Sequence, residues 1–414
     1  MTGVLARSAG VLRGRRPFRL LVLATAGSSF GTLLAAVALA VDVKDKTESG
    51  TWVGVLLIAD FLPAIAVGLL LGPLVDRLSR RRLMIAADLV RAAVFVALPF
   101  VGSAAAVVAL AGVVGLATGF FRPAVYAGLP NLVDEDDLPA ANGLLQAVEN
   151  LAWTLGPVAA GALIALGGTD AAYWINAATF LVSAALLTGI PARSLQSITA
   201  LTKGHWRDLA DGIAVVVRSR PLLLVLVAWS VAMLGMACVN VGQVFLAEDV
   251  FDAGSFGYGL LFGSVGLGLV VGSMVAGGAL GDRPATSAYP LSLGLMGVGF
   301  AAAAVAPSIW LAAAFCVLAG VGNGTANVCN ALLVQRGASD DLRGRALTLV
   351  MSATYLALGV GMAAAGPLVD AAGARATWGT AAGLFAVSSV AALVLARGLR
   401  EPLGERAEER AQAA

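Results

Sequence analysis

The sequence predicts an all-α membrane protein: twelve transmembrane helices in two six-helix bundles related by pseudo-two-fold symmetry. Three observations carry this. Of 414 residues, 59% are hydrophobic and 13% are charged, with mean hydropathy +0.88, where a soluble chain carries roughly 25% charge. The apolar residues run in blocks of about twenty, the length at which a helix crosses a bilayer. Short motifs of the first half recur in the second. The same numbers exclude a soluble enzyme and a disordered chain, which needs low hydrophobicity and high charge. Solid apolar blocks also disfavour a β-barrel, whose strands alternate apolar and polar over about ten residues.

The spans follow from apolar blocks between charged or Pro/Gly breaks. Span 1 (18–41) stands behind four arginines, with a fifth, Arg19, at its start. Ala38-Leu39-Ala40 imitates a cleavage site, but the block is longer than the roughly 7–15 apolar residues of a signal segment, so it is read as retained. Span 2 (52–74) carries Asp60, and span 3 (83–101) carries Asp88 and Arg91. Span 4 (104–126) holds Arg122, span 5 (141–167) holds Glu149 and Gly156-Pro157, and span 6 covers 171–190. The longest polar connection, 191–220, is read as a cytoplasmic linker whose Trp206 to Arg220 segment lies on the inner membrane surface. Spans 7 to 12 are 221–245, 256–280, 286–305, 308–332, 345–370 and 374–396. The expected domains are therefore a bundle over 1–190, the linker, and a bundle with a short cytoplasmic tail over 221–414.

Arg and Lys set the orientation, because cytoplasmic loops accumulate them. With the N-terminus inside, 23 of the 27 fall on the cytoplasmic side. Lys44, Lys46 and Arg375 fall outside, and Arg91 lies within span 3. Both termini are expected to be cytoplasmic, in a multi-pass protein of a bacterial plasma membrane.

Several chemistries lack the residues they need. Cys238, Cys316 and Cys329 sit inside apolar blocks without metal-site or disulfide spacing. The single histidine, His205, lies in a polar loop, so neither a metal nor a cofactor is expected. Basic residues gather at helix ends rather than in a nucleic-acid patch. No phosphate-binding loop precedes a helix, the only Lys-Thr being Lys46-Thr47 behind Asp45.

The halves repeat. Gly72-Pro73-Leu74-Val75-Asp76-Arg77 recurs as Gly278-Ala279-Leu280-Gly281-Asp282-Arg283, displaced by 206. Asp136-Asp137-Leu138 recurs as Asp340-Asp341-Leu342, displaced by 204, and Gly156-Pro157 as Gly366-Pro367, displaced by 210. Two duplicated bundles are what secondary transporters build around a central site.

The first of these loops, continuing through Arg80-Arg81-Arg82, resembles the signature loop of the major facilitator superfamily. Leu155 to Gly161 resembles the Gly-Pro antiporter motif of its drug-exporting branches. Arg122-Pro123-Ala124, Leu129-Pro130-Asn131-Leu132-Val133 and Ala141-Asn142 resemble the drug:proton antiporter family that contains enterobactin and macrolide exporters. Lysophospholipid transporters share similar loops. The resemblance implies the major facilitator fold, with spans 1, 4, 7 and 10 lining a central path. Many relatives carry an acid directly after the glycine of span 1; here Thr32 follows Gly31.

Physical roles can be assigned to these motifs. Gly72 admits a close neighbour, Asp76 suits the positive N-terminus of span 3, and Arg77 can pair with carboxylates at inner helix ends. Gly72, Asp76, Arg77, Asp282 and Arg283 are thus read as a conformational latch, while Arg80 to Arg82 are read chiefly as topology signals. Gly156, Pro157 and Gly161 form the antiporter motif, for which Ser264, Gly268, Gly272 and Ala276 of span 8 offer a packing stripe. Ordinary helix packing is the alternative.

Ionisable groups inside a membrane are costly and mark function by default. Asp60 and Glu149 are carboxyls that a proton can neutralise, hence proton-coupling candidates, with structural ion pairs as the alternative. Asp88, Arg91 and Arg122, nearer the inner helix ends, are read as an inner charge network. Polar stripes at helical spacing nominate a substrate cavity: Thr25, Ser29 and Thr32; Gln146 and Trp153; Asn240 and Gln243; Asn323, Asn327 and Asn330. Interhelical hydrogen bonding is the alternative for these.

The expected function is proton-coupled efflux of an amphipathic small molecule by alternating access, performed by a monomer in the lipid bilayer with substrate and proton as its partners. A lysophospholipid or solute facilitator without proton coupling is the alternative, and a non-transporting receptor or scaffold is the alternative of another class. No enzyme activity is expected.

Overall fold

The computed structural model describes residues 15–70, 78–195, 219–279, 285–337, 343–397 and 399. Ten helices long and apolar enough to cross a membrane are found among them. They are α1 (Arg16–Thr47), α2 (Gly50–Leu70), α3 (Arg80–Ala97), α4 (Ala104–Gly128), α5 (Leu138–Thr188), α6 (Arg220–Phe245), α7 (Gly254–Ala279), α8 (Ala285–Val305), α9 (Ile309–Gly337) and α10 (Arg343–Ala396). Two of them are each a pair of spans. α5 breaks at Gly168 (φ 76°, ψ 175°) and α10 at Gly373 (φ 79°, ψ 171°). That backbone region is open essentially to glycine alone, so twelve membrane-crossing segments result.

Helix ends follow local chemistry. Ser79 caps α3 by accepting the Arg82 amide at 3.5 Å. α1 ends with Glu48 in the left-handed region, its amide bonded to the Lys44 carbonyl, and Lys44 and Lys46 in its last turn suit the negative end of the helix dipole. Prolines occupy the first turns of α1, α5 and α6, where no amide donor is needed.

The chain divides into two compact units, Met1–Thr202 with Gly254–Gly259, and Lys203–Ala253 with Leu260–Ala414. Within the first, α1 packs on α5, α2 on α4, and α3 on both α4 and α5. Within the second, α6 packs on α10, and α8 on both α9 and α10, while α7 meets α9 through Gly268 and Gly272 against Gly320 and Val321. The same pairing scheme is thus built twice.

Inner contacts repeat at one displacement. Phe95 packs on Tyr173 and Phe180, with ring centroids 5.8 and 5.9 Å apart; Phe300 packs on Trp378 and Phe385 at 5.5 and 5.4 Å. Each second-unit ring lies 205 residues after its counterpart, as Gly373 does after Gly168. Gly115 abuts the Asp60 backbone and Gly320 the Val265 backbone, again displaced by 205. This corrects one repeat expected from sequence. Gly156 packs on Leu33 and Phe30 of α1, and the residue that packs likewise on Leu234 and Ala237 of α6 is Gly361. The counterpart of Gly156 is therefore Gly361, and the Gly366-Pro367 match is fortuitous.

Large apolar side chains such as Leu166, Leu291, Val305, Trp310 and Leu356 are exposed on the two units.

Candidate functional site

The latch candidates Gly72, Asp76, Arg77, Asp282 and Arg283 lie outside the described residues, as does the linker from 196 to 218. Their neighbours are placed. Arg80 is buried and donates to the carbonyls of Ala127 (2.9 Å) and Leu195 (3.0 Å), and Arg81 donates to Thr188 at 2.8 Å. These arginines therefore do more than fix topology. They bind the carbonyl ends of α4 and α5, where the dipole favours a cation, and the turn at Leu195, and pair with no carboxylate among the described residues.

In the first unit α2, α3, α4 and α5 bring five charged side chains into the membrane-spanning region. Asp88 and Arg91, one turn apart on α3, form an ion pair with 0% and 1% of their side chains exposed. Phe121 and Phe180 both lie against the guanidinium, with ring centroids 4.6 and 4.4 Å from its central carbon. Such cation–π contacts strengthen when desolvated. Ser28 of α1 and Ser183 of α5 sit against the Asp88 carboxylate. Asp60 of α2 lies within electrostatic range of the same Arg91 and is half-buried.

The other two charges pair separately. Arg122 of α4 donates to Glu149 of α5 at 2.7 Å, the carboxylate buried and the guanidinium largely exposed, with Tyr126 against both. Arg122 thus belongs with Glu149, and the expected inner network separates into a pair and a triad containing Asp60. Sequence spacing reveals the Asp88–Arg91 neighbourhood, which lies on one helix. The Arg122–Glu149 pair joins two helices and needed the fold.

The second unit holds neutral residues at all five equivalent positions. Displaced by 205 from Asp60, Asp88, Arg91, Arg122 and Glu149 stand Val265, Leu293, Met296, Asn327 and Thr354. Leu293 and Met296 are fully buried, so the same helix contact packs well without ions. The fold does not require the charges. A comparison of the two halves at displacement 205 carries this signal in the sequence, and the motif-based repeats missed it.

The polar stripes are placed as follows. Thr25 is buried with its hydroxyl unbonded, Ser29 is half-buried, and Thr32 donates to the Ser28 carbonyl at 2.8 Å. Gln146 is exposed and bonds Asn150, and Trp153 is half-exposed. Asn327 donates to the Asn323 side chain at 2.9 Å and backbone at 3.0 Å. Gln243 is buried with its amide nitrogen unbonded, Asn240 is half-buried, and Asn330 faces Tyr289.

The antiporter motif meets a different partner from the stripe expected in span 8. Gly161 lies against the backbone of Ser255 and Phe256, whose Ser255 hydroxyl donates to the Gly161 carbonyl at 3.3 Å, and Gly259 lies against Pro157. Gly268 and Gly272 instead pack on α9 inside the second unit. The stripe was right about close packing and wrong about its neighbour, since helical periodicity gives a face but not what covers it.

Comparison with known proteins agrees with this architecture. The Major Facilitator Superfamily profile matches residues 21–252 and 231–414. The multidrug efflux pump Tap of Mycobacterium tuberculosis is 28% identical over 396 residues, covering 88% of this chain and 90% of that protein. The macrolide efflux protein A of Streptococcus pyogenes is 24% identical over 236 residues, 55% of this chain and 58% of that one. A bacterial homologue of the iron transporter ferroportin has TM-score 0.74 at 15% identity, covering 92% of this chain and 99% of its own. The nucleoside transporter NupG gives 0.71 at 15%, covering 92% and 100%. With the family match spanning both units, the chain belongs to the Major Facilitator Superfamily, as a multi-pass membrane transporter and not an enzyme.

Proposed function

We propose that this transporter exports an amphipathic small molecule, a drug, antibiotic, siderophore or other natural product, in exchange for protons by alternating access. The observation that carries the reading is the charge balance of the first unit. Asp60, Asp88 and Glu149 face two arginines, Arg91 and Arg122. An uncompensated buried charge is expensive in a membrane, and a proton on the excess carboxyl removes it. Glu149 already has Arg122, so the excess falls to the group around Arg91, which makes Asp60 the better of the two coupling candidates.

Substrate contacts are assigned to the neutral polar side chains of the stripes, Thr25, Ser29, Thr32, Gln146, Asn240, Gln243, Asn323, Asn327 and Asn330, with Trp153 as an apolar contact. Neutral amides and an aromatic ring suit a ligand recognised by shape and scattered contacts. The curated relatives include multidrug and macrolide efflux proteins, which supports outward movement of such compounds. Gly72, Asp76, Arg77, Asp282 and Arg283 are assigned the latch role on their motif, Gly156, Pro157 and Gly161 the close packing of the antiporter motif, and the working form is taken as a monomer.

Everted membrane vesicles test this. They are energised to build a proton gradient, carry a pH-sensitive dye, and receive cationic, neutral and anionic amphipaths in turn. The wild type is expected to dissipate the gradient when a substrate is added, and Asp60→Asn is expected to abolish the response. Substrate movement with no proton response in the wild type would replace the reading with a facilitator.

A further inference from the structure

We infer that Asp88 and Arg91 are a positioning pair for the proton site at Asp60, with Arg91 shared between the two carboxylates when Asp60 is ionised and held by Asp88 alone when Asp60 carries a proton. The inference deepens the antiport reading and rests on Asp60 being the coupling carboxyl.

Three observations converge. Arg91 is the charged group in electrostatic range of Asp60 among the described residues, and it is bonded to Asp88. Only one Asp88 oxygen is bonded to Arg91, and the other has no charged partner, with the Ser28 and Ser183 hydroxyls beside the carboxylate, which leaves the pair open to rearrangement. The second unit packs Leu293 and Met296 at the matching sites. Buried ion pairs are often replaceable by apolar residues without loss of stability, so an ion pair kept only where Asp60 stands opposite serves something other than packing. Around Asp60, α4 contributes the glycine backbone at Gly115, α1 and α5 contribute the neutral Ser28 and Ser183 beside Asp88, and the charged Arg122 and Glu149 of α4 and α5 are occupied with each other.

Phe121 and Phe180 give the switch its geometry. Both aromatic rings lie against the guanidinium. Motion along the rings redistributes it between the carboxylates while it stays buried.

The test needs no substrate. The purified full-length protein in lipid bilayers is titrated by pH-dependent infrared difference spectroscopy, which reads the carbonyl stretch of a protonated carboxyl. Loss of a titrating band in Asp60→Asn assigns it. Asp88→Asn releases Arg91 to Asp60, so the midpoint of the band is expected to move to lower pH. The double variant Asp88→Leu with Arg91→Met, copying the second unit, removes the counter-charge and is expected to move the midpoint to higher pH by about one unit, as loss of a close opposite charge does. If the double variant does not purify, Arg91→Lys is the control, since it keeps the charge and is expected to keep the midpoint near wild type.

Opposite shifts from the two carboxyl-altering variants support the pair as a positioning device. A midpoint unmoved by either, or no band lost in Asp60→Asn, overturns the inference. Vesicles that show no antiport while the band behaves as described overturn the coupled-transport reading and leave the Asp60–Arg91 linkage standing.

Discussion

Asp60 and Glu149 are both carboxyls inside apolar helices, yet their surroundings give them different work. Glu149 has a dedicated arginine at 2.7 Å whose side chain is 61% exposed. Glu149→Gln keeps an amide acceptor for Arg122, which can also be satisfied by water or headgroups, so proton-linked transport is expected to persist at reduced rate in the vesicle assay. Asp60→Asn is expected to eliminate it. Loss of the proton response in Glu149→Gln with retention in Asp60→Asn would reverse the assignment. Gly115 supports Asp60 from behind, because its missing side chain lets α4 approach the Asp60 backbone. A methyl group there meets the Asp60 carbonyl, which belongs to a helix and cannot yield cheaply. Gly115→Ala is therefore expected to cost about 1–3 kcal/mol, the usual penalty of overpacking. Thermal unfolding of the purified protein should show it as a lowered midpoint, and an unchanged midpoint would mean that the helices separate without penalty. At this scale, ionisable groups in apolar runs were legible in the sequence. Their partners were not, because Arg122 and Glu149 lie on different helices and meet only in the folded unit.

At the scale of elements, spans were legible because length and hydropathy fix them, whereas the tightness of two connections was not. Spans 5 and 6, and again 11 and 12, join through a single glycine of positive φ, so regular structure continues nearly unbroken on either side of Gly168 and Gly373. No atom lies within 4 Å of where a side chain would start at either glycine. Space is free and only the backbone objects. Gly168→Ala and Gly373→Ala are each expected to lower stability by about 1–3 kcal/mol through strain alone, again read from thermal unfolding. A Gly168→Asn variant should recover part of the loss if the chain can relax toward the nearby left-handed region that Asn tolerates. Equal losses for Ala and Asn would mean that the turn is fixed at its observed dihedrals. The antiporter motif shows the complementary limit. Its glycines declare a close approach, but only the packing names Ser255 and Gly259 as the residues approached.

Over the whole molecule, one duplicated scaffold carries two unlike interiors, charged in the first unit and neutral in the second at the five matched positions. A duplicated bundle needs only one of its copies to carry protons, and the other is then free to present neutral amides. That division gives export in only one orientation of the protein, the one with both termini inside that the Arg and Lys distribution predicts. The native cysteines make this testable without first removing them. Cys238, Cys316 and Cys329 are all buried, so a membrane-impermeant maleimide applied to intact cells should find little background. Ser103→Cys, in the exposed connection between α3 and α4, is expected to label from outside. Glu135→Cys, exposed between α4 and α5, is expected to label only after the membrane is permeabilised. The reverse pattern would invert the protein, place Lys44 and Lys46 in the cytoplasm, and turn the proposed export into uptake without altering a single contact inside either unit.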